Sequence, residues 1–289
     1  MKGEIFQNLA KIVKKLELSG LTNSEARTEA RIIVAHVLRV GPLDVYFHSK
    51  PLTPEEKKEI EKLLKRRCQG EPLAYVLGEA EFWGRRFVVG QGVLIPRPET
   101  EQLVEVALSL ISPGPQWVCE LGVGSGVVSL TLALERKDLK VFGIEKSPKA
   151  LQIALTNRKQ WRLEKRVFFA RGDWFSPLRP GPYFSLVVSN PPYIAPEEWT
   201  ELPPEIRDYE PKEALWAPKK GLYYIEKTLR EAPTYLKPNG FVCLEIGYRQ
   251  GPLVREIASR MGYKTEIIKD FAGHQRILVA KLKDTLAHR

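Results

Sequence analysis

Residues 119–128 read CELGVGSGVV, and this stretch decides the fold because an apolar run ends abruptly in three closely spaced glycines. Glycine lets the backbone turn tightly and lets a ligand approach it closely. The dinucleotide fingerprint G-x-G-x-x-G also follows a strand, but its third glycine would fall at Val127, so that pattern does not match. The spacing G-x-G-x-G behind Glu120 instead predicts a strand followed by a loop for a different nucleoside.

S-adenosylmethionine is the cofactor that this loop favours, because it has an amino-acid end and an adenosine end but no pyrophosphate for a helix N-terminus. Acidic residues follow two further apolar runs: Glu145 ends G-I-E, and Asp173 precedes Trp174 in R-G-D-W. A carboxylate at Glu145 can accept the ribose hydroxyls, Asp173 can accept from the adenine amino group, and the indole can cover the ring. The cofactor contacts predicted from these residues are Glu120, Gly122, Val123, Gly124, Ser125, Gly126, Glu145, Asp173 and Trp174.

Apolar runs alternate with helical patterns through the second part of the chain, which predicts right-handed βαβ units and a mostly parallel sheet. The candidate strands are 117–121, 140–145, 167–171, 185–189, 240–246, 265–269 and 276–281. If the first five strands run in the order 3-2-1-4-5, the topological switch point lies between strands one and four. The last two are joined by only six residues, which favours an antiparallel pair at the end of the sheet.

The fourth candidate strand runs into S-N-P-P-Y-I at residues 189–194. Two prolines cannot continue a strand, so the chain should stop in a stiff, extended loop. With the order 3-2-1-4-5 this loop would lie beside the glycine loop, at the position where open α/β sheets bind ligands. The side-chain carbonyl of Asn190 and the backbone carbonyl of Pro191 can each accept one N–H of a planar amino group, while Pro192 stiffens the loop and Tyr193 lies against the substrate. These four residues are the predicted catalytic set.

The first part of the chain reads as helices, with capping-box patterns at Thr22 and Thr53. We predict a helical substrate-docking domain over residues 1–78, a β-hairpin linker over 79–95 and the larger domain over 96–289. The four histidines are scattered and no cysteine pair has metal-ligand spacing, so no metal is expected. The sequence lacks a membrane span and a secretory signal pattern, which favours a cytoplasmic protein.

Several motifs together resemble the peptide chain release factor glutamine methyltransferases, the HemK/PrmC family. They are EPLAYVLGEAEFWG at 71–84, VLIPRPETE at 93–101, ELGVGSG, SNPPYI, YEPKEAL, LEIG and AGHQR. The resemblance implies a class I S-adenosylmethionine-dependent methyltransferase, with a Rossmann-like seven-stranded sheet and a small N-terminal helical bundle. It further implies methyl transfer to the side-chain N5 of the glutamine in the Gly-Gly-Gln tip of class-1 release factors, and the release factor would be the protein partner. It also implies that Asn190 contacts the cofactor in addition to the glutamine.

The chain departs from the family pattern at a few positions. Glu120 and Glu145 stand where aspartate is usual, and Val123 stands where threonine is usual. Residues 217–222, APKKGL, replace a G-G-x-D-G-L pattern. The sequence assigns no role to this loop or to Arg97.

Two other function classes remain as alternatives. N-P-P-Y also occurs in adenine and guanine amino-methyltransferases, and the formal net charge of +10 is compatible with a nucleic-acid substrate. However, the charge is spread along the chain and no nucleic-acid-binding module is recognisable, which does not favour direct nucleic-acid binding. The second alternative is a non-enzymatic binding protein that has kept the fold. The presence of an intact N-P-P-Y together with an intact glycine loop argues against it.

Overall fold

The computed structural model describes residues 2–48 and 50–283. Its helices are α1 (Lys2–Leu18), α2 (Asn23–Leu38), α3 (Pro54–Cys68), α4 (Leu73–Leu77), α5 (Pro98–Leu110), α6 (Val127–Glu135), α7 (Pro148–Gln160), α8 (Pro204–Tyr209), α9 (Lys212–Leu215), α10 (Tyr223–Glu231) and α11 (Gly251–Arg260). Its strands are β1 (Glu79–Phe82), β2 (Arg85–Val88), β3 (Gln116–Leu121), β4 (Leu139–Glu145), β5 (Val167–Arg171), β6 (Phe184–Ser189), β7 (Leu236–Glu245), β8 (Tyr263–Lys269) and β9 (Gln275–Leu282). Short 3-10 helices cover Asp44–Phe47, Pro196–Glu201 and Ala232–Thr234.

The chain forms two compact units, residues 1–79 with 203–209 and residues 80–202 with 210–289. The first unit is a helical bundle whose core includes Leu16, Ile33 and Leu64. Both predicted capping boxes are present: the Thr22 side chain accepts from the backbone N–H of Glu25, and Thr53 accepts in the same way at the start of α3. Each cap satisfies backbone donors that the first helical turn leaves unpaired.

Helix α8 belongs to the first unit although it lies far along the chain from α1–α4. The Tyr209 hydroxyl donates to the backbone oxygen of Gln69 at 2.8 Å. Glu205 lies 3.2 Å from the guanidinium of Arg67, which is buried and also pairs with Glu29. No sequence pattern predicts this assignment of residues 203–209, because the contacts are made between residues more than 130 positions apart.

The second unit is built on a seven-stranded sheet in the order β5-β4-β3-β6-β7-β9-β8. The first five strands are parallel and have the order 3-2-1-4-5 when numbered along the chain, so strands one and four are neighbours. Strand β9 pairs antiparallel with both β7 and β8, so the last two strands form the expected antiparallel hairpin, with β9 inserted next to β7. The fold class predicted from the sequence is therefore confirmed.

The sheet is covered on both faces, as a mostly parallel sheet requires. Alternate strand residues enter opposite cores: Val118 packs with α5 and α6, whereas Cys119 packs with α10 and α11. The predicted hairpin is formed by β1 and β2 and ends at Val88, so residues 89–95 of the predicted 79–95 segment contain no strand. Residues 284–289 of the predicted larger domain, which include His288, lie outside the described residues.

No helix within the described ranges is long and apolar enough to cross a bilayer. Among those same residues, no group of three or more His, Cys, Asp or Glu side chains is arranged to hold a metal ion. Cys119 and Cys243 are buried, as their apolar neighbours in the sequence predict, and Cys68 is half-buried.

Candidate functional site

The candidate site lies along the carboxyl ends of four neighbouring parallel strands. In the β3–β6 register Leu121 pairs with Ser189, so Gly122 and Asn190 follow on adjacent strands. Leu121 also pairs with Ile144, which puts Glu145 on the other side of Gly122. Ser189 pairs with Leu244, which puts Glu245 beside Asn190. Because neighbouring strands lie roughly 5 Å apart, these four residues form one row across the sheet edge.

The glycine loop has the open backbone that a ligand needs. The backbone N–H of Gly122 donates to Ile144 O at 2.9 Å, which ties the start of the loop to β4. Gly122 and Gly124 have φ values of 71° and 57°, and a Cβ added to either would meet nothing within 4 Å. Gly126, in contrast, faces packed side chains and begins α6 with a φ of 86°. The first two glycines therefore border free space, whereas the third allows close packing of α6.

The buried Asn157 on α7 holds this loop from behind. Its Nδ2 donates to Ser125 O at 2.8 Å and to Val88 O at 2.9 Å, while its Oδ1 accepts from Val88 N at 2.7 Å. One side chain thus joins the glycine loop to strand β2. Val123, the neighbouring loop residue, is buried and lies over Gly143, where an added Cβ would be 2.5 Å from its methyl group.

Glu145 points into the glycine loop. One carboxylate oxygen accepts from Gly124 N at 2.8 Å and the other accepts from Ser147 N at 2.7 Å. An ionised carboxylate has about four acceptor positions, so each oxygen retains capacity for a further donor. The residue is only partly buried. Its geometry therefore fits a carboxylate that is fixed by the loop and can accept ligand hydroxyls.

The side chain of Glu120, the acid that precedes the glycine loop, points into the core and not towards the carboxyl edge of the sheet. It is 2% exposed, and it accepts hydrogen bonds from both the backbone N–H and the hydroxyl of Ser129 on α6. Burial raises the pKa of the Glu120 carboxyl to about 8, although the hydrogen bonds from Ser129 favour the charged form. In this arrangement its contacts join β3 to α6.

Asp173 and Trp174 follow β5 and have different surroundings. The Asp173 side chain is 47% exposed and lies between Lys146, at 3.8 Å, and Lys227, at 3.4 Å. Trp174 is buried: its ring stacks on Tyr224 with centroids 4.6 Å apart, and its Nε1 donates to Thr228 at 2.7 Å. These contacts hold Trp174 at a φ of 55°, which is unusual for a bulky residue. The indole is thus part of the core on the α10 face of the sheet.

The N-P-P-Y segment is held by a chain of side-chain hydrogen bonds. Asn190 Nδ2 donates to Thr100 Oγ1 at 3.0 Å, and Thr100 Oγ1 donates to Glu245 Oε2 at 2.7 Å. The Tyr193 hydroxyl donates to the other oxygen of Glu245 at 3.0 Å. Burial raises the pKa of Tyr193, and the negative charge of Glu245 raises it further. Both ends of the motif are therefore fixed through one buried carboxylate.

The loop at 217–222, whose role the sequence leaves open, packs against the backbone of N-P-P-Y. A Cβ on Gly221 would lie 2.0 Å from Tyr193 O, so only glycine fits there. Gln250 Nε2 donates to Tyr193 O at 2.9 Å and to Lys220 O at 3.3 Å, which joins the two segments. Lys219 and Lys220 both adopt left-handed conformations, with φ values of 56° and 55°. Ala217 and Pro218 stand at the positions of the two lost glycines, and Lys220 stands at the position of the acid.

Arg97 also has a partner. Its guanidinium pairs with the buried carboxylate of Glu210, which accepts from Ile95 N at 3.0 Å as well. The two motifs VLIPRPETE and YEPKEAL are therefore joined through Glu210. This pairing gives Arg97 a structural contact at the start of α5.

Four side chains that shape this edge are not predicted as site residues from the sequence: Thr100, Asn157, Glu245 and Gln250. Thr100 and Glu245 lie inside motifs that carry the family resemblance, VLIPRPETE and LEIG, and that is the signal from which they could be found. Asn157 lies within α7 and Gln250 in the turn before α11, and no sequence pattern distinguishes either from an exposed polar residue.

Comparison with known proteins agrees with this architecture. Residues 7–78 match the family model of the PrmC N-terminal domain, and residues 116–285 match a methyltransferase domain model. In structure, a methyltransferase from Pyrococcus furiosus aligns with a TM-score of 0.53 over 75% of this chain and 96% of its own. At 19% identity that likeness shows the fold alone.

Curated relatives identify the family. A release factor glutamine methyltransferase of Aquifex aeolicus is 39% identical over 271 residues, which cover 93% of this chain and 96% of its own. The enzyme of the same name from Thermodesulfovibrio yellowstonii is 38% identical over 262 residues, which cover 89% and 93%. The chain therefore belongs to the release factor glutamine methyltransferase family.

Proposed function

We propose that this protein transfers a methyl group from S-adenosylmethionine to the side-chain N5 of the glutamine in the Gly-Gly-Gln motif of class-1 translation release factors. The observation that supports this most strongly is the β3–β6 register, in which Gly122 and Asn190 follow directly on paired residues. A cofactor on the glycine loop and an amide held by Asn190 would then be neighbours. Family membership supports the same reaction, since the curated relatives carry the name release factor glutamine methyltransferase.

The residues of the glycine loop fit the cofactor. The open space beside Gly122 and Gly124 admits a ligand close to the backbone, and Glu145 is fixed with acceptor capacity for ribose hydroxyls. When bound, S-adenosylmethionine supplies a methyl group on a sulfonium, which carries its own leaving group. Glu120 supports the cofactor site indirectly, because it joins β3 to Ser129 on α6. Trp174 supports it by fixing the segment that follows β5 through its contact with Thr228.

Asn190 and Pro191 are proposed to hold the glutamine amide. The Asn190 side chain already donates its Nδ2 to Thr100, so its Oδ1 is oriented as an acceptor for a substrate N–H. The Pro191 carbonyl, one residue on, can accept the second N–H. Two acceptors polarise an otherwise poor nucleophile and aim its nitrogen, and such orientation lowers the barrier by several kcal/mol. Tyr193, fixed by Glu245, can pack against the flat amide.

The experiment that tests this function uses S-adenosylmethionine labelled in its methyl group. The protein is incubated separately with a class-1 release factor, with the same factor carrying Gln→Ala in its Gly-Gly-Gln motif, and with total RNA. We expect label in the parent factor only, with a mass increase of one methylene on the tryptic peptide that contains the motif.

Two outcomes would overturn the proposal. Equal labelling of the parent and the Gln→Ala factor would show that the methylated residue is not the glutamine of the Gly-Gly-Gln motif. Label in RNA but not in the release factor would instead favour the nucleic-acid amino-methyltransferase, the alternative with which N-P-P-Y and the net charge of +10 are compatible.

A further inference from the structure

The side-chain amide of Asn190 has two ends of nearly equal shape but opposite hydrogen-bonding character. Its oxygen accepts and its nitrogen donates, so rotation by 180° would exchange the two without changing the packing. A substrate –NH2 can pair only with the oxygen, and a rotated Asn190 would face it with a second donor. The reaction therefore needs something that distinguishes the two orientations.

Thr100 makes this distinction because its hydroxyl has a single proton. The hydroxyl lies 2.7 Å from Glu245 Oε2 and 3.0 Å from Asn190 Nδ2. An ionised carboxylate only accepts, so the Thr100 proton must point at Glu245. The Thr100 oxygen is then an acceptor on its other side, which selects the nitrogen of Asn190. Thr100 is 4% exposed and Glu245 is 1% exposed, so water has little access to compete at either hydroxyl or carboxylate.

We propose that Thr100 and Glu245 are positioning residues which set the orientation of the Asn190 amide and thereby present its oxygen to the substrate. This inference rests on the proposed function. Glu245 also accepts from the Tyr193 hydroxyl at 3.0 Å through its second oxygen. One carboxylate thus positions the acceptor at the first residue of N-P-P-Y and the aromatic ring at the last.

The charge of Glu245 is essential to this chain of donors. The groups that face it are Thr100 and the more distant Glu99 on α5, Tyr193 after β6, and Arg276 on β9. Burial raises the pKa of the Glu245 carboxyl, while hydrogen bonds from Thr100 and Tyr193 and the charge of Arg276 oppose that effect. A protonated Glu245 could donate to Thr100, and the Thr100 hydroxyl could then donate to a rotated Asn190.

A matched pair of substitutions at Thr100 tests the proposal. Thr100→Val keeps the shape but removes the hydroxyl, whereas Thr100→Ser keeps the hydroxyl and removes a methyl group. With the wild-type enzyme active on the release factor, we expect Thr100→Val to lower kcat about 10-fold or more. We expect Thr100→Ser to stay within about threefold of wild type, and both variants to bind S-adenosylmethionine with nearly unchanged Kd.

A second measurement does not depend on activity. The side-chain NH2 of Asn190 can be assigned by its disappearance from the ¹⁵N spectrum of Asn190→Asp. We expect its protons to exchange slowly with solvent in wild type and Thr100→Ser, and faster in Thr100→Val. In Glu245→Gln, which can donate to Thr100, we expect the Asn190 signal to shift and kcat to fall.

The results separate this inference from the proposed function. A wild-type protein that labels no release factor, with the Asn190 exchange still following Thr100, would overturn the function and leave the orientation intact. An active wild type with Thr100→Val at full kcat, or with Thr100→Val and Thr100→Ser equally impaired, would overturn the positioning role.

Discussion

Gly221 offers the most specific single perturbation, because one added methyl group would clash with the backbone of the N-P-P-Y segment. A Cβ there would lie 2.0 Å from Tyr193 O and 2.6 Å from Gln250 Nε2. Real Cβ contacts essentially never fall below 3.0 Å, so the Gly221 and Tyr193 backbones would have to separate by at least 3.0 − 2.0 = 1.0 Å. Gly221 also has a φ of 79°, which is costly for any residue with a side chain.

Two terms set the magnitude expected for Gly221→Ala. A left-handed conformation costs a non-glycine residue ~1–2 kcal/mol. Relief of an overpacked contact costs a further ~1–3 kcal/mol. The free energy of unfolding should therefore fall by about 2–5 kcal/mol. A displacement of about 1 Å at a catalytic segment can reduce turnover 10²-fold, so we expect kcat to fall by about that factor.

Denaturant unfolding and steady-state methyl transfer to the release factor measure the two effects. Gly114→Ala is the matched control, because Gly114 has a φ of 94° but an added Cβ there meets nothing within 4 Å. In this control the free energy of unfolding should fall only by the cost of the left-handed conformation, ~1–2 kcal/mol, and kcat should not change. A Gly221→Ala enzyme with wild-type kcat would refute the reasoning that loop 217–222 sets the position of Tyr193.

Four further outcomes are expected. Asn157→Ala should lower the free energy of unfolding by about 3 kcal/mol and weaken cofactor binding by calorimetry, because three buried hydrogen bonds are lost. As pH rises from about 4.5 to about 8, Glu120 should lower the free energy of unfolding of the wild type by at most ~5 kcal/mol. Glu120→Gln should not show this decrease, because its amide does not titrate. Lys220→Gly should stabilise the protein by up to ~1 kcal/mol in denaturant unfolding, because it relieves a left-handed lysine. Asn190→Ala should lower kcat by about 10²-fold while cofactor affinity falls much less, as kinetics and calorimetry would measure.

The direction of the pH effect predicted for Glu120 follows from its raised pKa. Between the unfolded pKa and about 8 the folded state keeps a proton that the unfolded state has released, so the contribution of Glu120 to stability is greatest below its unfolded pKa and is lost as pH rises to about 8. Equal pH dependence in wild type and Glu120→Gln would contradict this explanation. An unchanged unfolding free energy in Asn157→Ala or a less stable Lys220→Gly would contradict the other two stability predictions. A normal kcat in Asn190→Ala would contradict its catalytic role.

Local patterns are sufficient to predict much of this fold. The threonine caps of α2 and α3 are visible because the partners in a capping box are three residues apart. All seven strands of the large sheet lie within a few residues of the predicted apolar runs. The rule of right-handed crossovers reduces the number of possible topologies, but the position of β9 between β7 and β8 is seen only in the structure.

The orientation of site side chains is less predictable, because it depends on contacts between distant parts of the chain. Thr100 and Glu245 are 145 residues apart, and neither residue type shows by itself that the two would meet in a buried hydrogen bond. Glu120 and Glu145 both lie near the carboxyl ends of neighbouring strands, yet Glu120 faces Ser129 in the core and Glu145 faces the glycine loop. Glu120 pairs with Gly143, one residue before the end of β3, whereas Glu145 is the last residue of β4, so the two side chains do not occupy equivalent positions.

A crystal structure of the protein with S-adenosylhomocysteine and a peptide containing Gly-Gly-Gln tests the central claim most directly. We expect the glutamine Nε2 to lie within about 3 Å of both Asn190 Oδ1 and Pro191 O, facing the sulfur of the cofactor product. A complex in which these two oxygens face bulk solvent, or in which the glutamine binds away from the β3–β6 edge, would contradict it.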